Sequence, residues 1–392
     1  PTIYYFLAAL FLLYEMSLQS SPSVMASQLM PNLKLDASAF GLAMGAYFFS
    51  YTLMQIPVGL LFDRYSAKII LVIATIVSAL GALLFSVSHI SLSLALARFI
   101  SGFGSAFAFV GVLVIASQWF EAKHFAFLVG IAQWVAAVGA MTGEMPLAFW
   151  VHHYGWRHTA LLLFYIGLVL FILMFIILRG KTVVSTVNAI NPVQSLRNIL
   201  KNKQTFWIAL YAFSAWAPIT LFAELWGVPY LIARQHASNM VAAQYSSVIW
   251  IGLAIASPLL GWFSDRLQRR RFFMLLCSML AFFCSIVILY SHYHAATLLV
   301  VVLLLMGVAA AGQILCFALI RDHYPKHDLA VAIGIINMAV VVGGALFQPG
   351  VGMLLKWHAA HFILHAHSTY RLTDYRFALG LLPCINLIGV LT

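Results

Sequence analysis

GLLFDRYSAK (Gly59–Lys68) and, 202 residues later, GWFSDRLQRR (Gly261–Arg270) are two copies of one pattern: a glycine, an Asp-Arg pair, then further basic residues. Each copy separates two long apolar runs. Reading outward from them, polar punctuation divides the chain into twelve runs suited to membrane-spanning helices: 3–29, 38–61, 69–88, 91–117, 124–150, 156–178, 206–231, 242–263, 272–291, 295–320, 330–354 and 376–392. The two copies follow the second and the eighth run, equivalent places in two sets of six. A parallel duplication of this kind is one way to build a transporter around a midplane site. The only long polar connection among the first eleven spans, 179–205, is therefore the expected linker between a first half, 1–178, and a second, 206–392. Within it Asn191-Pro192 opens a short stretch patterned like a helix lying on the membrane surface.

Composition agrees. Of 392 residues, 64% are hydrophobic and 8% charged, against about 25% charged in a soluble domain, so a water-soluble fold is excluded. The formal charge of +11 is explained by topology without a nucleic-acid partner. Counting alternate loops puts fourteen Lys and Arg on the side holding Arg64, Lys68, Arg266 and Arg269–Arg271. Only six (Lys34, Arg157, Arg234, Lys356, Arg371, Arg376) fall on the other. The richer side is expected to be cytoplasmic, with both termini inside, in a bacterial inner membrane. The chain begins at Pro1 and stops at Thr392 within an apolar stretch, so both ends read as trimmed. Cys277, Cys284, Cys316 and Cys384 lie in apolar runs without a CxxC pair and read as small buried hydrophobes.

At this point the chain resembles the major facilitator superfamily, over nearly its whole length. That family's loop signature, GxxxDRxGRR, is matched by Gly261, Asp265, Arg266, Arg269 and Arg270, with Gln268 in place of the central Gly. The first copy keeps Gly59, Asp63, Arg64 and Lys68 but has Ser66 and Ala67 where the family has Gly and a basic residue. A glycine lets two helices approach closely, and the Asp can pair with Arg and a neighbouring helix end. The resemblance implies a latch closing the cytoplasmic rim in the outward-open state, weakened in the first half. A second signature, RxxxGxG on the fourth span, is present as Arg98, Gly102 and Gly104. The Gly-Pro-rich signature of the drug/proton antiporters is absent from Gly139–Pro146, which places efflux below uptake. The resemblance further implies two six-helix halves, alternating access, and a cavity lined by the first, fourth, seventh and tenth spans. On those spans stand Glu15, Arg98, Glu224 and Gln313.

Within the membrane the acids reduce to Glu15, Glu144 and Glu224, and the only base is Arg98. An unpaired charge near a span's centre costs about 2.5 kcal/mol or more, so each calls for a reason. Glu15 shares a polar stripe with Gln19 and Pro22. Glu224 precedes Gly227-Val-Pro229, where the helix is expected to bend. Glu144 lies at a depth similar to Arg98, and the expectation is an Arg98–Glu144 ion pair. That leaves Glu15 and Glu224 as unpaired acids, suited to taking and releasing protons. Tyr47, Tyr51 and Gln55 recur every four residues on the second span as a further polar face.

Most histidines fall on the outer side, His358, His361, His365 and His367 in one loop. With only Asp374 as a nearby carboxylate, that loop reads as solvated rather than as a metal site. No nucleotide-binding loop is present, so the energy source is expected to be an ion gradient. The sequence thus points to a proton-coupled symporter, not an enzyme, working as a monomer among membrane lipids without cofactor or metal. Its substrate/proton-coupling residues are Glu15, Gln19, Arg98, Glu144, Glu224 and Gln313. An acid-rich cavity with one Arg suits a zwitterion such as an amino acid or short peptide. The alternative is an organic anion, a hydroxycarboxylate or carboxylate siderophore, bound by Arg98. A drug/proton antiporter and a receptor on the same fold rank lower.

Overall fold

The computed structural model of the protein describes residues 2–121, 125–178, 199–267, 269–291, 296–324, 326–362 and 370–392. The expected linker lies outside the described residues as far as 198. Helices follow one another without a strand among the described residues: α1 (Thr2–Ser20), α2 (Pro22–Asn32), α3 (Ala37–Arg64), α4 (Ala67–Ser86), α5 (Ser91–Ser105), α6 (Ala108–Trp119) and α7 (Phe125–Ile177). After the linker come α8 (Lys203–Ala215), a π-helix (Pro218–Trp226), α9 (Gly227–Gln235), α10 (Asn239–Leu267), α11 (Arg270–Tyr290) and α12 (Ala296–Ala310). A 3₁₀ turn (Ala311–Gln313), α13 (Ile314–His323), α14 (Lys326–Phe362), α15 (Leu372–Leu379) and α16 (Leu381–Leu391) complete the chain.

Ten stretches among the described residues are long and apolar enough to cross a membrane. One, Leu128–Ile177, has 50 residues, about 75 Å of straight helix against roughly 30 Å of hydrocarbon. Gly155 breaks it at φ 78°, a left-handed value that glycine adopts without steric cost, so α7 crosses twice. With the 28 residues of α3, the crossings accord with twelve in two six-helix halves. Helix bounds follow the apolar runs within a few residues, except that α14 continues to Phe362. Hydropathy ends where Lys356 and His358 make the surface polar, while the backbone ladder does not. Cys384 also departs from expectation, being exposed on an outward face of α16.

Among the described residues five crossings are interrupted: the first between Ser20 and Pro22, the fourth at Ala106–Phe107, the seventh by the π-helix, the tenth by the 3₁₀ turn and the twelfth at Gly380. The seventh changes its winding at Gly227, where an irregularity was expected. Pro229 lies in the first turn of α9, directly after the π-helix. The irregularity begins upstream, at Pro218, and the Gly227 N–H donates to Phe222 O, one residue further back than in an α-helix.

Glycines set the packing of α5. A Cβ on Gly102 would lie 2.7 Å from the carbonyl carbon of Tyr47 on α3, and one on Gly104 would lie 2.7 Å from the backbone nitrogen of Ser78 on α4. The two glycines of the fourth-span signature thus admit two different neighbours. The halves meet where α3 runs along α14 and α7 along α10. At the rim opposite the Asp-Arg loops, Asp36 caps α3 by accepting the Ala39 N–H at 2.8 Å and pairs with Lys356 of α14 at 2.8 Å. The Ala37 N–H donates to the Tyr370 hydroxyl at 2.9 Å. Burial pushes the Asp36 carboxyl up, but Lys356 and the Ala39 amide outweigh it and hold the group below its ordinary value. At the same rim Arg157 donates to the carbonyls of Ser86, the last residue of α4, and Ser88 just beyond it, at 2.9 and 2.8 Å. In the other half Arg234 donates to Ile288 O and Ser291 O at the end of α11. Each places a cation on a helix carboxyl terminus.

Gly102→Leu is expected to force α5 off α3 at a cost of about 1–3 kcal/mol, lowering the thermal midpoint of purified protein; an unchanged midpoint would show that α5 has room. Because the Asp36 carboxyl is depressed, its contribution is present above about pH 3.9 and lost as pH falls through its folded value. Hydrogen exchange at Ala39 and Phe40 should stay slow from pH 5 to 8. In Asp36→Ala, loss of a cap worth about 1 kcal/mol should speed it roughly five-fold; equal rates would mean the clasp does not hold the helix.

Candidate functional site

Pro22 creates the site's first opening. In a continuous helix the carbonyl of Leu18 would accept the N–H four residues on, but that residue is Pro22, which has none. The Arg98 guanidinium, from α5, fills the gap: Nη1 donates to Leu18 O at 2.8 Å and Nη2 to Gln19 O at 3.5 Å. A cation thereby satisfies the carboxyl end of α1 inside the bundle. Its flat face lies 4.3 Å from the centroid of the Tyr47 ring, a cation–π contact. The Tyr47 hydroxyl in turn donates to Glu15 Oε1 at 2.8 Å.

From the other half the π-helix delivers Glu224, whose Oε1 accepts the Gln19 side-chain amide. Glu15, Glu224 and Arg98, all at most 3% exposed, interact electrostatically with one another. Oε2 of Glu15, Oε2 of Glu224 and Nε of Arg98 are buried and have no hydrogen-bond partner among the described residues. The layer therefore joins α1, α3 and α5 of one half to the seventh crossing of the other, with acceptor and donor capacity unspent.

The expected Arg98–Glu144 ion pair is not formed. Glu144 stands on the face of α7 that packs against α10, where Oε1 accepts the Trp250 indole N–H at 2.7 Å and Oε2 the Ser247 hydroxyl at 3.3 Å. Arg98 faces α1 instead. Depth along the membrane was legible in the sequence, whereas the facing direction of each helix was not. Gln313 is buried in the 3₁₀ turn with its carbonyl oxygen unpaired, and no hydrogen bond ties it to the charged layer. Sequence reasoning missed Trp250, Ser247 and Asn337 as partners. Asn337 of α14 donates to Gln55 Oε1 at 2.5 Å, so the four-residue polar stripe on α3 did mark a contact between halves.

In the loop copies, the side chains of Asp63, Arg64 and Asp265 lie outside the described part of the structure. Lys68 Nζ sits 5.5 Å from the Phe175 ring centroid and Arg266 lies 5.2 Å from that of Trp262. Arg269 is the residue preceding α11. Arg270 pairs with Asp322 of α13 at 2.9 Å, an acid outside the signature. Gly59 and Gly261 have no neighbouring atom within 3.8 Å of a built Cβ, so neither is held there by helix contact. At the opposite rim His358 Nδ1 lies 2.7 Å from Asp374 Oδ1, while His365 and His367 lie outside the described residues. Among the described residues no three His, Cys, Asp or Glu side chains gather as a metal site would require.

Comparison with known proteins bears on family and fold. Over 265 residues the chain is 24% identical to the hexuronate transporter of Bacillus subtilis (strain 168), a match covering 64% of this chain and 61% of that protein. Over 158 residues it is 28% identical to the probable galactarate/D-glucarate transporter GudP of Escherichia coli (strain K12), covering 38% and 34%. The chain thus matches less than two thirds of the length of these relatives. Among solved structures, a bacterial homologue of the human lysosomal transporter Spinster, inward-facing and unoccupied, superposes with a TM-score of 0.80 at 14% identity. That match covers 100% of this chain and 95% of the other. The nucleoside transporter NupG superposes with a TM-score of 0.77 at 14% identity, covering 99% and 98%; both likenesses bear on fold alone. The family model described as Major Facilitator Superfamily matches residues 6–360, and the chain belongs to that superfamily of membrane transporters for small molecules.

Proposed function

We propose that the protein is a proton-coupled importer of a small organic anion, an acid of the sugar-acid or hydroxycarboxylate type. It acts as a monomer in a bacterial cytoplasmic membrane with both termini inside. The observation that carries the reading is the state of Arg98. Its guanidinium is held by two main-chain carbonyls and the Tyr47 ring, not by a directly bonded carboxylate, so its charge remains available to a carboxylate-bearing solute. The names of the two relatives, a hexuronate and a galactarate/D-glucarate transporter, support an acid over the amino acid or peptide that an acid-rich cavity with one Arg suggested. Glu15 and Glu224 are the proton carriers. Each is buried, each keeps one oxygen unpartnered, and each reaches the same cation, so proton and anion binding are coupled through Arg98. Gln19 positions Glu224, and the solute leaves chemically unchanged. The charged layer draws on both halves, which supports a site that rocking halves would expose alternately.

Hexuronates, aldarates and hydroxycarboxylates should raise the thermal midpoint of the purified protein more at pH 5.5 than at pH 7.5. At one hundred times Kd the stabilisation should be about 2.7 kcal/mol, and Arg98→Gln should abolish it. Stabilisation by amino acids or dipeptides alone would overturn the anion assignment. In vesicles, Glu15→Gln and Glu224→Gln should each abolish proton-driven accumulation while solute counterflow persists; normal accumulation by both variants would rule out the coupling role.

A further inference from the structure

Glu144 is left without a part in the layer that holds Arg98. It is fully buried, and both of its oxygens are bonded only to α10, in the half to which it does not belong. Trp250 and Ser247 stand three residues apart on one face of α10, and the fully buried Trp250 indole has Glu144 as its hydrogen-bond acceptor. The side chain is fixed from behind as well. A Cβ on the preceding Gly143 would lie 2.9 Å from Ser17 Cα, so α7 is pressed onto α1 at this level. A hydrogen bond to an ionised carboxylate is roughly twice as strong as one to a neutral acceptor, so the strength of this bond between halves follows the charge on Glu144.

We propose that Glu144 is a proton-operated tie between the two halves: ionised, it holds α7 to α10 through Trp250, and protonated, it lets that contact open. Glu144 is then a positioning residue acting on the rocking motion, not a ligand of the solute. The charged group that reaches it is Glu224. Glu15 on α1 and Arg98 on α5 make no bond to it, and α2 and α6, which also pack on α7, contain no Asp, Glu, Lys, Arg or His. On α10 the charged residues are Asp265 and Arg266 at its distant end, with Tyr245 as the nearest other titratable group, and α4 brings only Lys68 at its start. The proposal rests on the carrier reading for its purpose, but its test requires no solute.

Spin labels at Ile90→Cys and Val241→Cys, exposed positions on different halves at the rim nearer Glu144, would report separation in lipid nanodiscs, with the exposed Cys384 changed to Ser. Between pH 8.5 and 5.5 the parent is expected to gain a longer-distance population. Glu144→Gln should lose the pH response, and Trp250→Phe should reduce it at least two-fold and leave no further loss when combined with Glu144→Gln. Glu15→Gln should retain the response. A pH-independent parent, or a Glu144→Gln profile that follows the parent, would overturn the tie. Since either single variant tests the bond, misfolding of one leaves the other decisive. Loss of proton-driven uptake in Glu15→Gln alongside an unchanged distance profile would separate coupling at the site from release of the tie.

Discussion

A proline with no amide hydrogen and an arginine buried away from solvent resolve each other's deficits near the middle of this bundle. Pro22 leaves Leu18 O without its helical donor, and Arg98 supplies one. Much of the central layer follows from that contact. Fixing the guanidinium against α1 lays it on Tyr47, which turns the Tyr47 hydroxyl toward Glu15. The two glycines that follow Arg98 on α5 let that helix come close enough to α3 and α4 for the contact to form. In an apolar interior a polar group left unpaired is costly, so the unpartnered atoms that remain on Glu15, Glu224 and Arg98 mark where the structure retains binding capacity.

The second constraint is that the halves must both adhere and move. Polar bonds join them at several depths: Asp36 to Lys356 at one rim, Glu144 to Trp250, Gln19 to Glu224, and Gln55 to Asn337 toward the other. Two of these four use a buried carboxylate. In the proposed proton-coupled carrier the conformational equilibrium must depend on protonation, and a carboxylate bonded only across the interface between halves is a direct way to achieve it. Amide-to-amide contact between Gln55 and Asn337, by contrast, is insensitive to pH in the physiological range.

Backbone irregularity falls on the first, fourth, seventh and tenth crossings, and again at Gly380 in the twelfth. A π-helical stretch has one more residue per backbone bond than an α-helix, which shifts the direction of every side chain beyond it. Glu224 lies inside such a stretch, supported by Gln348, whose side-chain amide donates to Thr220 O and whose carbonyl accepts the Trp226 indole. Glu224 thus meets Gln19 through a π-helical winding, where Gly227-Val-Pro229 announced an irregularity but not its kind.

The fold was legible in the chain because its signals are one-dimensional. Apolar run length is set by bilayer thickness, the side holding Lys and Arg by insertion, and the duplicated loops by their spacing. The same holds for Arg98 with Gly102 and Gly104, and for the rarity of charge that singled out Glu15, Glu144 and Glu224. Partnership was another matter. The pairing of Glu144 with Trp250 instead of Arg98, the capture of Arg98 by carbonyls, and the meeting of Gln55 with Asn337 depend on how each helix is rotated and which neighbour it faces. In helices apolar on nearly all sides, periodicity carries almost no information about rotation, and only close packing among all the crossings decides it.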